Sequence, residues 1–442
     1  MIYFLKKYKR KYGGGIATKR GLTPASKAIL RKLGYRVRNG WILNLKQAVE
    51  FKNEITAYSW HVFNPFTPAS LDYSDEIKIS VNNQDLYTDP SRSFIFVEGK
   101  ITNSDGSAKG TAKLVPNGIA HLFEEIRYSL CNEEIAKTRN VGTVSMIKNY
   151  LLLNQMESPY MQIAGWDSPN DVIVKDGEFA ALIPLKMVTG FAQDFDKIIL
   201  NAKQELTLLR SRNDYDVLIS TGENDKTNKV TLTRVQWHMP VVSVSDEVRL
   251  RLLNVVKNDV PLRIAFRQWE IYEQQLAENT SDTWSILTST QTEKPRYVIL
   301  ALQSGRKQEV SKDGSIFDHG NFSDVRLYLN SEVFPYASMH SEFAKNQYLT
   351  QYTMYARFQS TFLNTDSTEP LLSYKTFKEK APLVVIDCSK SNESLKSGPV
   401  DVRIEWKTDG TKMSKSTVAY VIIINEKLIE YLPLSNIVKK LI

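Results

Sequence analysis

The sequence predicts an all-β protein with two tandem antiparallel sandwiches, a few short helices and a basic N-terminal arm. From Trp60 onward, short runs rich in Val, Ile, Phe and Tyr are separated by Asn, Asp, Gly and Ser, which is typical of antiparallel strands and their turns. These runs fall into two groups, and the stretch between them, residues 246–257, has helical character. Basic residues are concentrated ahead of both groups, in residues 1–40.

The first group has about the number of strands that one sandwich needs. Apolar side chains recur at nearly every second position of residues 198–208, so one face of this strand would pack on a second sheet. A helix is predicted over residues 143–154. The predicted strands of this half are residues 76–81, 93–102, 126–131, 179–187, 197–210, 216–220 and 229–240.

The second group repeats this pattern, although no close sequence repeat relates the two halves. Its main helix is predicted within residues 341–361, where aromatic residues recur at helical spacing without Gly or Pro. The continuously apolar run at residues 419–424 predicts that residues 418–431 form a buried strand. The predicted strands of this half are residues 262–271, 283–288, 296–303, 325–329, 383–388, 400–407 and 417–424.

The composition is that of an ordered globular chain. Of its 442 residues 42% are hydrophobic, and the 21 Tyr and 18 Phe are spread along the length, which disfavours a long disordered tail. Cys131 and Cys388 have no neighbouring His or second Cys, so we expect two buried free thiols. The apolar runs at residues 1–5 and 419–424 are too short for a signal peptide or a membrane helix. A soluble protein made in the cytosol is therefore expected.

Residues 1–40 carry the basic character of the chain. They hold twelve of the 57 Lys and Arg residues and none of the 49 Asp and Glu residues, so the remainder has 45 basic against 49 acidic residues. A basic segment on a weakly acidic body indicates contact with a polyanion, and a solubilising tail is the alternative. Gly13 to Gly15 predict a flexible break, and Thr23-Pro24 predict the start of a short helix that ends at Leu33. The candidate nucleic-acid-binding residues are Lys6, Lys7, Lys9, Arg10, Lys11, Lys19, Arg20, Lys27, Arg31, Lys32, Arg36 and Arg38.

The sequence contains no pattern typical of an active site, a cofactor site or a metal site. No two of its five histidines have the i,i+4 spacing of a helical zinc site. A nucleophile elbow, a Walker loop and a dinucleotide-binding glycine pattern are also missing. Asp318 and His319 lie near Asp324, but no neighbouring Ser stands on a strained turn that would expose a nucleophile. We therefore predict no catalytic residue, no cofactor and no metal, and a role in binding or in building a larger structure.

Several stretches of the chain occur together, and in this order, in one protein family. They are Tyr58-Ser59-Trp60-His61-Val62-Phe63-Asn64-Pro65, Ile119-Ala120-His121-Leu122-Phe123-Glu124-Glu125-Ile126, Lys197-Ile198-Ile199-Leu200-Asn201 with Leu208-Leu209-Arg210-Ser211-Arg212-Asn213, and Pro295-Arg296-Tyr297-Val298-Ile299 followed by Phe317-Asp318-His319 and Val325-Arg326-Leu327-Tyr328-Leu329-Asn330. Together they resemble the major capsid proteins of Polinton and adintovirus-like DNA viruses and mobile elements, which belong to the adenovirus-hexon lineage. The resemblance spans residues 58–442, and the basic segment before it is longer than the family pattern.

This resemblance implies a double jelly roll, that is, two tandem antiparallel eight-stranded jelly rolls at residues 45–238 and 239–442, preceded by the basic arm at residues 1–44. It implies a structural protein and not an enzyme: a major capsid protein whose homotrimers form pseudo-hexameric capsomers of an icosahedral shell around double-stranded DNA. Penton or minor capsid proteins would be further partners. The long connections at residues 304–324 and 364–380 would lie at a trimer contact or on the outer surface. The expected location is the virion, after synthesis in the host cytoplasm and assembly in the nucleus.

Two other functions compete with this one. The first is a nucleic-acid-binding β protein that acts through its basic arm, although it lacks the basic and aromatic strands of an RRM or OB surface. The second is an enzyme on a jelly-roll scaffold, which would need a histidine cluster or a converging pair of carboxylates. Within a capsid, the arm would face inward and contact packaged DNA or an internal cement protein, and Lys6 to Lys11 would also serve as a nuclear-import signal.

Overall fold

The computed structural model describes residues 54–66, 71–82, 86–103, 111–220, 228–286, 295–366, 368–390 and 400–441. The strands in these ranges are β1 (Ile55–Phe63), β2 (Glu76–Val81), β3 (Tyr87–Thr88), β4 (Phe94–Thr102), β5 (Lys113–Leu114), β6 (Phe123–Leu130), β7 (Glu133–Arg139), β8 (Val174–Lys175), β9 (Glu178–Pro184), β10 (Gln204–Arg210), β11 (Leu218–Ile219), β12 (Lys229–Val244), β13 (Leu262–Gln275), β14 (Ser281–Ile286), β15 (Pro295–Ser304), β16 (Phe322–Leu329), β17 (Glu332–Phe334), β18 (Val384–Asp387), β19 (Val402–Thr408), β20 (Thr417–Leu432) and β21 (Ile437–Lys440).

The helices in the same ranges are short. They are α1 (Gly118–His121), α2 (Val141–Leu152), α3 (Pro169–Val172), α4 (Leu185–Val188), α5 (Gly190–Asp194), α6 (Asp246–Lys257), α7 (Leu349–Leu363) and α8 (Tyr374–Lys380), with 3-10 turns at Pro90–Arg92, Tyr160–Ala164 and Phe343–Lys345.

The first half of the described chain forms two packed antiparallel sheets. The larger sheet has the strand order β1-β12-β4-β9-β8, with β3 paired to β12, and the smaller has the order β2-β10-β6-β7. Alternate side chains, such as Ile95 and Val97 on β4 and Ile77 and Ile79 on β2, are fully buried in one core. This pattern follows from the strand geometry, which points successive side chains to opposite faces of a sheet.

The second half forms another pair of sheets. These have the orders β13-β20-β15-β18, with β21 paired to β20, and β14-β19-β16-β17. Val298 and Leu300 on β15 pack with Val421 and Ile423 on β20 in a core of their own. The predicted C-terminal strand is confirmed, because β20 pairs with β13 on one side and with β15 on the other.

The two sandwiches have the same topology. When the eight main strands of each are counted along the chain, one sheet holds the first, eighth, third and sixth strands and the other holds the second, seventh, fourth and fifth. This order is that of a jelly roll, in which paired strands fold over into two facing sheets. The predicted fold class, a double jelly roll with a few short helices, is therefore confirmed.

Several predicted elements differ from the observed ones. Residues 58–65 lie ahead of the first predicted strand at residues 76–81, but most of them belong to β1. The strand predicted over residues 197–210 begins only at Gln204, because Asn201 adopts a left-handed conformation with φ 50° and its side-chain Nδ2 donates to the Pro433 carbonyl. Strand β9 ends at Pro184, where helix α4 follows instead of the predicted continuation. The helix predicted over residues 246–257 is confirmed as α6.

The transition between the sandwiches takes place at α6. Strand β12 runs to Val244, so the predicted domain boundary between residues 238 and 239 falls inside a strand. None of the residues of α6 is buried. Residues 55–442 nevertheless form a single compact unit, because the two sandwiches pack on each other.

The long connection between β15 and β16 packs on the first sandwich. The Ser220 amide donates to the Val310 carbonyl at 2.9 Å, and the Tyr150 hydroxyl donates to the Ser315 carbonyl at 3.0 Å. Phe317 is buried and meets the Tyr150 ring edge to face. This loop was expected at a trimer contact or on the outer surface, and the structure shows that Val310, Ser315 and Phe317 contact the first sandwich of their own chain.

Candidate assembly surfaces

The residues predicted to bind nucleic acid, Lys6 to Arg38, lie outside the described residues, as does the helix predicted from Thr23 to Leu33. Two kinds of surface within the described chain bear on assembly. One is the buried junction between the two sandwiches, and the other is an exposed aromatic face on the first sandwich.

Arg267 of β13 ties the second sandwich to the first. Its guanidinium donates to both carboxylate oxygens of Asp194 at 2.7 Å and to the Phe362 carbonyl at 2.6 Å, and it lies over the Phe362 ring. Such a bidentate pair fixes the orientation of both partners. Gly190 of α5 packs so closely on the Arg267 carbonyl that a Cβ would lie 1.8 Å from the oxygen. The junction is therefore closely packed at this point.

Helices α2 and α7 complete this junction. The Tyr355 hydroxyl of α7 donates to the Tyr150 carbonyl of α2 at 2.9 Å. Lys148 of α2 is buried, lies 5.6 Å from the Trp269 ring centroid and donates to the Lys186 carbonyl at 2.6 Å. Burial lowers the pKa of Lys148 to about 7. As a result, the face of the β13-β20-β15-β18 sheet that points away from its partner sheet is covered.

The corresponding face of the first sandwich is exposed. We call it the β1 aromatic face and define it by Tyr58, Trp60 and Val62 of β1 with Phe94 and Phe96 of β4. The three β1 side chains are 47%, 57% and 48% exposed. Trp60 and Phe94 have ring centroids 5.7 Å apart. These residues form one contiguous patch, because β1 and β4 both pair with β12.

Arg210, in one of the family-like stretches, has a structural role. Its guanidinium donates to the Asp214 carboxylate at 2.5 Å and to the Leu122 carbonyl at 3.0 Å, and both charged side chains are 1% exposed. Asp214 also accepts from the Val230 amide at 2.7 Å and from the Tyr73 hydroxyl at 2.8 Å. This network joins four separate parts of the first sandwich. The sequence alone did not distinguish Arg210 from the exposed Arg212 two residues later.

Asp318 and His319, considered above as an acid–base pair, each contact other residues instead. Asp318 forms an ion pair with Arg306 at 3.1 Å. The His319 ring stacks on Phe343 at 4.4 Å, its Nδ1 accepts from the Asn321 amide, and burial lowers its pKa. Among the described residues, no three His, Cys, Asp or Glu side chains are grouped so that they could hold a metal ion. Cys131 and Cys388 are free thiols, of which Cys388 is buried and Cys131 half-buried.

A cleft of about 690 Å³ lies between the two sandwiches. Its charged groups are largely paired, with Arg212 on Glu124 at 3.6 Å and Lys307 on Glu273 at 2.7 Å. The His121 ring lies against Gly142 at its edge, and burial lowers the pKa of that imidazole. The mixture of both charge signs gives the cleft no preference for an anion or a cation.

Comparison with known proteins agrees with this architecture. The chain matches the family model described as "Double jelly roll-like domain" over residues 112–429. No curated protein sequence matches it. None of the helices in the described ranges is long and apolar enough to cross a membrane.

Three viral capsid proteins of known structure share the fold at low sequence identity. PBCV-1 VP54, fitted into a reconstruction of the virophage Sputnik, is 9% identical with a TM-score of 0.58, over 87% of this chain and 97% of that one. The Faustovirus major capsid protein is 9% identical with a TM-score of 0.55, over 92% and 97% of the two chains. The mavirus major capsid protein is 9% identical with a TM-score of 0.52, over 92% and 95%. At this identity the likeness shows the fold, and because the family match covers more than half of the chain, this protein belongs to the double jelly roll-like domain family.

Proposed function

We propose that this chain is a structural, non-enzymatic protein, the major capsid protein of an icosahedral double-stranded DNA virus or virus-like mobile element. The observation that carries the proposal is the tandem repetition of one jelly-roll topology within a single compact unit. The fold likeness to the PBCV-1, Faustovirus and mavirus proteins supports it.

The proposed unit is a homotrimer that serves as a pseudo-hexameric capsomer. Three copies of a chain with two similar sandwiches present six similar bodies, which suits a tile with six neighbours in a shell. Closed cyclic symmetry is the common route by which identical chains associate. Further partners would be other capsomers and penton or minor capsid proteins.

Light scattering after size exclusion tests the trimer directly. We expect a mass three times the 50.5 kDa of one chain at micromolar concentration and mild salt, and triangular or hexagonal particles in negative stain. A stable mass of one chain under these conditions would refute the capsomer proposal.

Within this function, we assign the chain to the Polinton and adintovirus-like lineage and to the virion, with synthesis in the host cytoplasm and assembly in the nucleus. The support is the set of family-like stretches between Tyr58 and Asn330. The division into an arm at residues 1–44 and two jelly-roll domains belongs to the same proposal, with the second boundary better placed at α6 than at residue 238, since β12 continues to Val244.

The basic arm is proposed to face the interior of the shell and to contact packaged DNA without sequence preference. Its twelve positive charges, with no acidic residue, would release counterions on binding phosphates. Deleting residues 2–20 removes seven of these charges, and we expect trimers to remain while DNA retention and its salt dependence fall. Loss of trimers, or unchanged DNA binding at low salt, would contradict an internal arm.

The alternative function, a nucleic-acid-binding β protein, rests on the same arm. It predicts a monomer whose affinity for DNA depends entirely on residues 1–40. The scattering mass and the ratio of absorbance at 260 and 280 nm in the purified protein therefore separate the two functions.

A further inference from the structure

We propose that the β1 aromatic face is a contact surface for a second copy of this chain. The segment of that copy from β17 to the start of α7, residues 332–349, would cover it. The inference rests on the proposed homotrimer and names the surfaces that would hold it together. It follows from a comparison of the two sandwiches, whose corresponding faces have different surroundings.

The two faces occupy the same place in the topology. Strands β1, β12, β4 and β9 of the first sandwich correspond to β13, β20, β15 and β18 of the second. Each first strand places a tryptophan on the face that points away from its own partner sheet: Trp60 on β1 and Trp269 on β13. Trp60 is 57% exposed, whereas Trp269 is fully covered.

The cover over Trp269 comes in part from the first sandwich of the same chain. Its fifth strand, β7, and the helix that follows, α2, both contact β13. The Gln268 side chain donates to the Lys137 carbonyl of β7, and Lys148 of α2 lies over Trp269. Tyr150 of α2 joins the same junction through its carbonyl, which accepts from Tyr355. This face is therefore covered jointly by the fifth strand and following helix of the adjacent jelly roll and by α7 of its own sandwich, whose Phe358 and Phe362 pack on Trp269.

The second sandwich has an equivalent segment, in which α7 packs within the chain while the stretch ahead of α7 is partly exposed. Its fifth strand is β17, and α7 follows it. Between them Tyr336 is 97% exposed, and Leu349 at the start of α7 is 70% exposed. Exposed apolar side chains of this size are typical of contact surfaces when they are grouped. Among the described residues, the chain thus has one uncovered apolar face and one segment, ahead of α7, that presents exposed apolar side chains.

The exposed area fits an interface between proteins. Tyr58, Trp60 and Val62 leave roughly 300 Å² uncovered, taking ~200 Å² for a typical aromatic side chain. This is over a third of the ~800 Å² that one partner contributes to a standard interface, before Phe94, Phe96 and the rim are counted. In addition, β1 is the end strand of its sheet among the described strands, and an apolar end strand left open promotes association.

We assign the occupant as a second copy because the two surfaces do not meet within one chain, where Trp60 and Tyr336 both remain exposed. The exposed stretch ahead of α7 belongs to the sandwich whose own face is already covered by the β1-bearing sandwich and by α7. A head-to-tail contact between copies places the free segment of one on the free face of the next. Such a contact is heterologous and can close into a ring.

The test replaces Trp60 in the full chain and measures mass by light scattering. Wild-type protein should have the mass of three chains, and Trp60→Glu should dissociate to one chain, with an association constant lowered at least ~30-fold, as expected for loss of a hot-spot residue. Met156→Glu is the matched control, because Met156 is 86% exposed but lies outside the β1 aromatic face. Its mass should equal that of the wild type.

The outcomes separate the two proposals. If the wild type is trimeric and Trp60→Glu remains trimeric, the contact surface is wrong while the proposed function stands. If the wild type itself is monomeric, the capsomer proposal fails and this inference fails with it.

A second measurement does not depend on how the charged variant folds. A photo-crosslinking benzoylphenylalanine is placed at position 60, and at position 156 as the control. We expect a two-chain band on a denaturing gel, with position 60 joined to a peptide from residues 332–349. Crosslinks from position 60 to any other segment, or none above the control, would overturn the assignment.

Discussion

Arg210 and Arg212 lie two residues apart, and replacing each by Met should have very different effects on stability. Arg210 is 1% exposed and pairs with the equally buried Asp214, whereas Arg212 is 80% exposed and pairs with Glu124 at 3.6 Å. Removing one partner of a buried ion pair costs about 3–5 kcal/mol because the other charge stays behind without compensation. An exposed pair contributes about 0–1 kcal/mol.

The magnitude for Arg210→Met follows from the bonds that it breaks. The Leu122 carbonyl loses a donor and one Asp214 oxygen loses its cation, while the other Asp214 oxygen keeps the Val230 amide and the Tyr73 hydroxyl. We therefore expect a loss of about 4 kcal/mol. If residues 55–442 unfold together, an entropy of ~2.1 cal/mol/K per residue converts this loss into a fall in melting temperature of about 5 °C.

Thermal unfolding followed by circular dichroism measures both variants at one protein concentration. Equal melting temperatures for Arg210→Met and Arg212→Met would refute the reasoning. A second check is the double variant with Asp214→Leu, which should lose less stability than the two single changes together, because no buried charge is left unpaired.

Three further predictions concern the junction and the C-terminal strand. Gly190→Ala should lower the melting temperature by several degrees, because its Cβ would meet the Arg267 carbonyl, while Gly314→Ala, with open space around it, should not; equal effects would contradict the close approach. The pKa of Lys148 is lowered to about 7, so above pH 7 the unfolded chain holds a proton on this amine that the folded chain has released. The free energy of unfolding of the wild type should therefore rise between pH 7 and 9 relative to that of Lys148→Met, by at most about 1.4 kcal/mol per pH unit. Parallel plots of unfolding free energy against pH for the two proteins would exclude this. A chain that ends at Lys415 lacks β20 and should be insoluble. A control chain that ends at residue 436 lacks only β21 and should stay soluble. A soluble trimer from the shorter chain would show that β20 is dispensable.

Periodicity predicted the elements that carry strong local signals. Helix α6 was placed correctly at both ends, because Asp246 and Glu247 stand in its first turn and Lys257 in its last. The core strands β15 and β20 were found from their apolar runs. Strand β7 was missed, since Glu133–Arg139 is mostly polar and holds only two buried apolar side chains, Ile135 and Ala136.

The sequence could not predict which part of the chain, or which other molecule, covers each apolar face. Tyr58, Trp60 and Val62 alternate with Ala57, Ser59 and His61 along the first strand, and such a pattern favours a core-facing role for the aromatic residues. In the structure these three side chains are exposed instead. The pattern identifies an apolar face, but its cover depends on residues that are distant in sequence or belong to another molecule. The buried role of Arg210 was unpredictable for the same reason, since Leu122, Val230 and Tyr73 lie far from it in sequence.

The different surroundings of the two faces also account for the lack of a close sequence repeat. Equivalent strands of the two sandwiches share the same pairing order, which many different side chains allow. The side chains on each sheet face must instead pack against the particular residues that cover that face. Trp269 packs among helices of its own chain, whereas Trp60 has no such cover within the described residues. If the contact between copies repeats the contact within the chain, each chain offers one free face and one free covering segment, and three chains in a ring leave neither unused. A head-to-tail contact that fails to close into a ring gives open filaments. Discrete three-chain particles therefore require that the rotation from one sandwich to the next is similar within a chain and between chains.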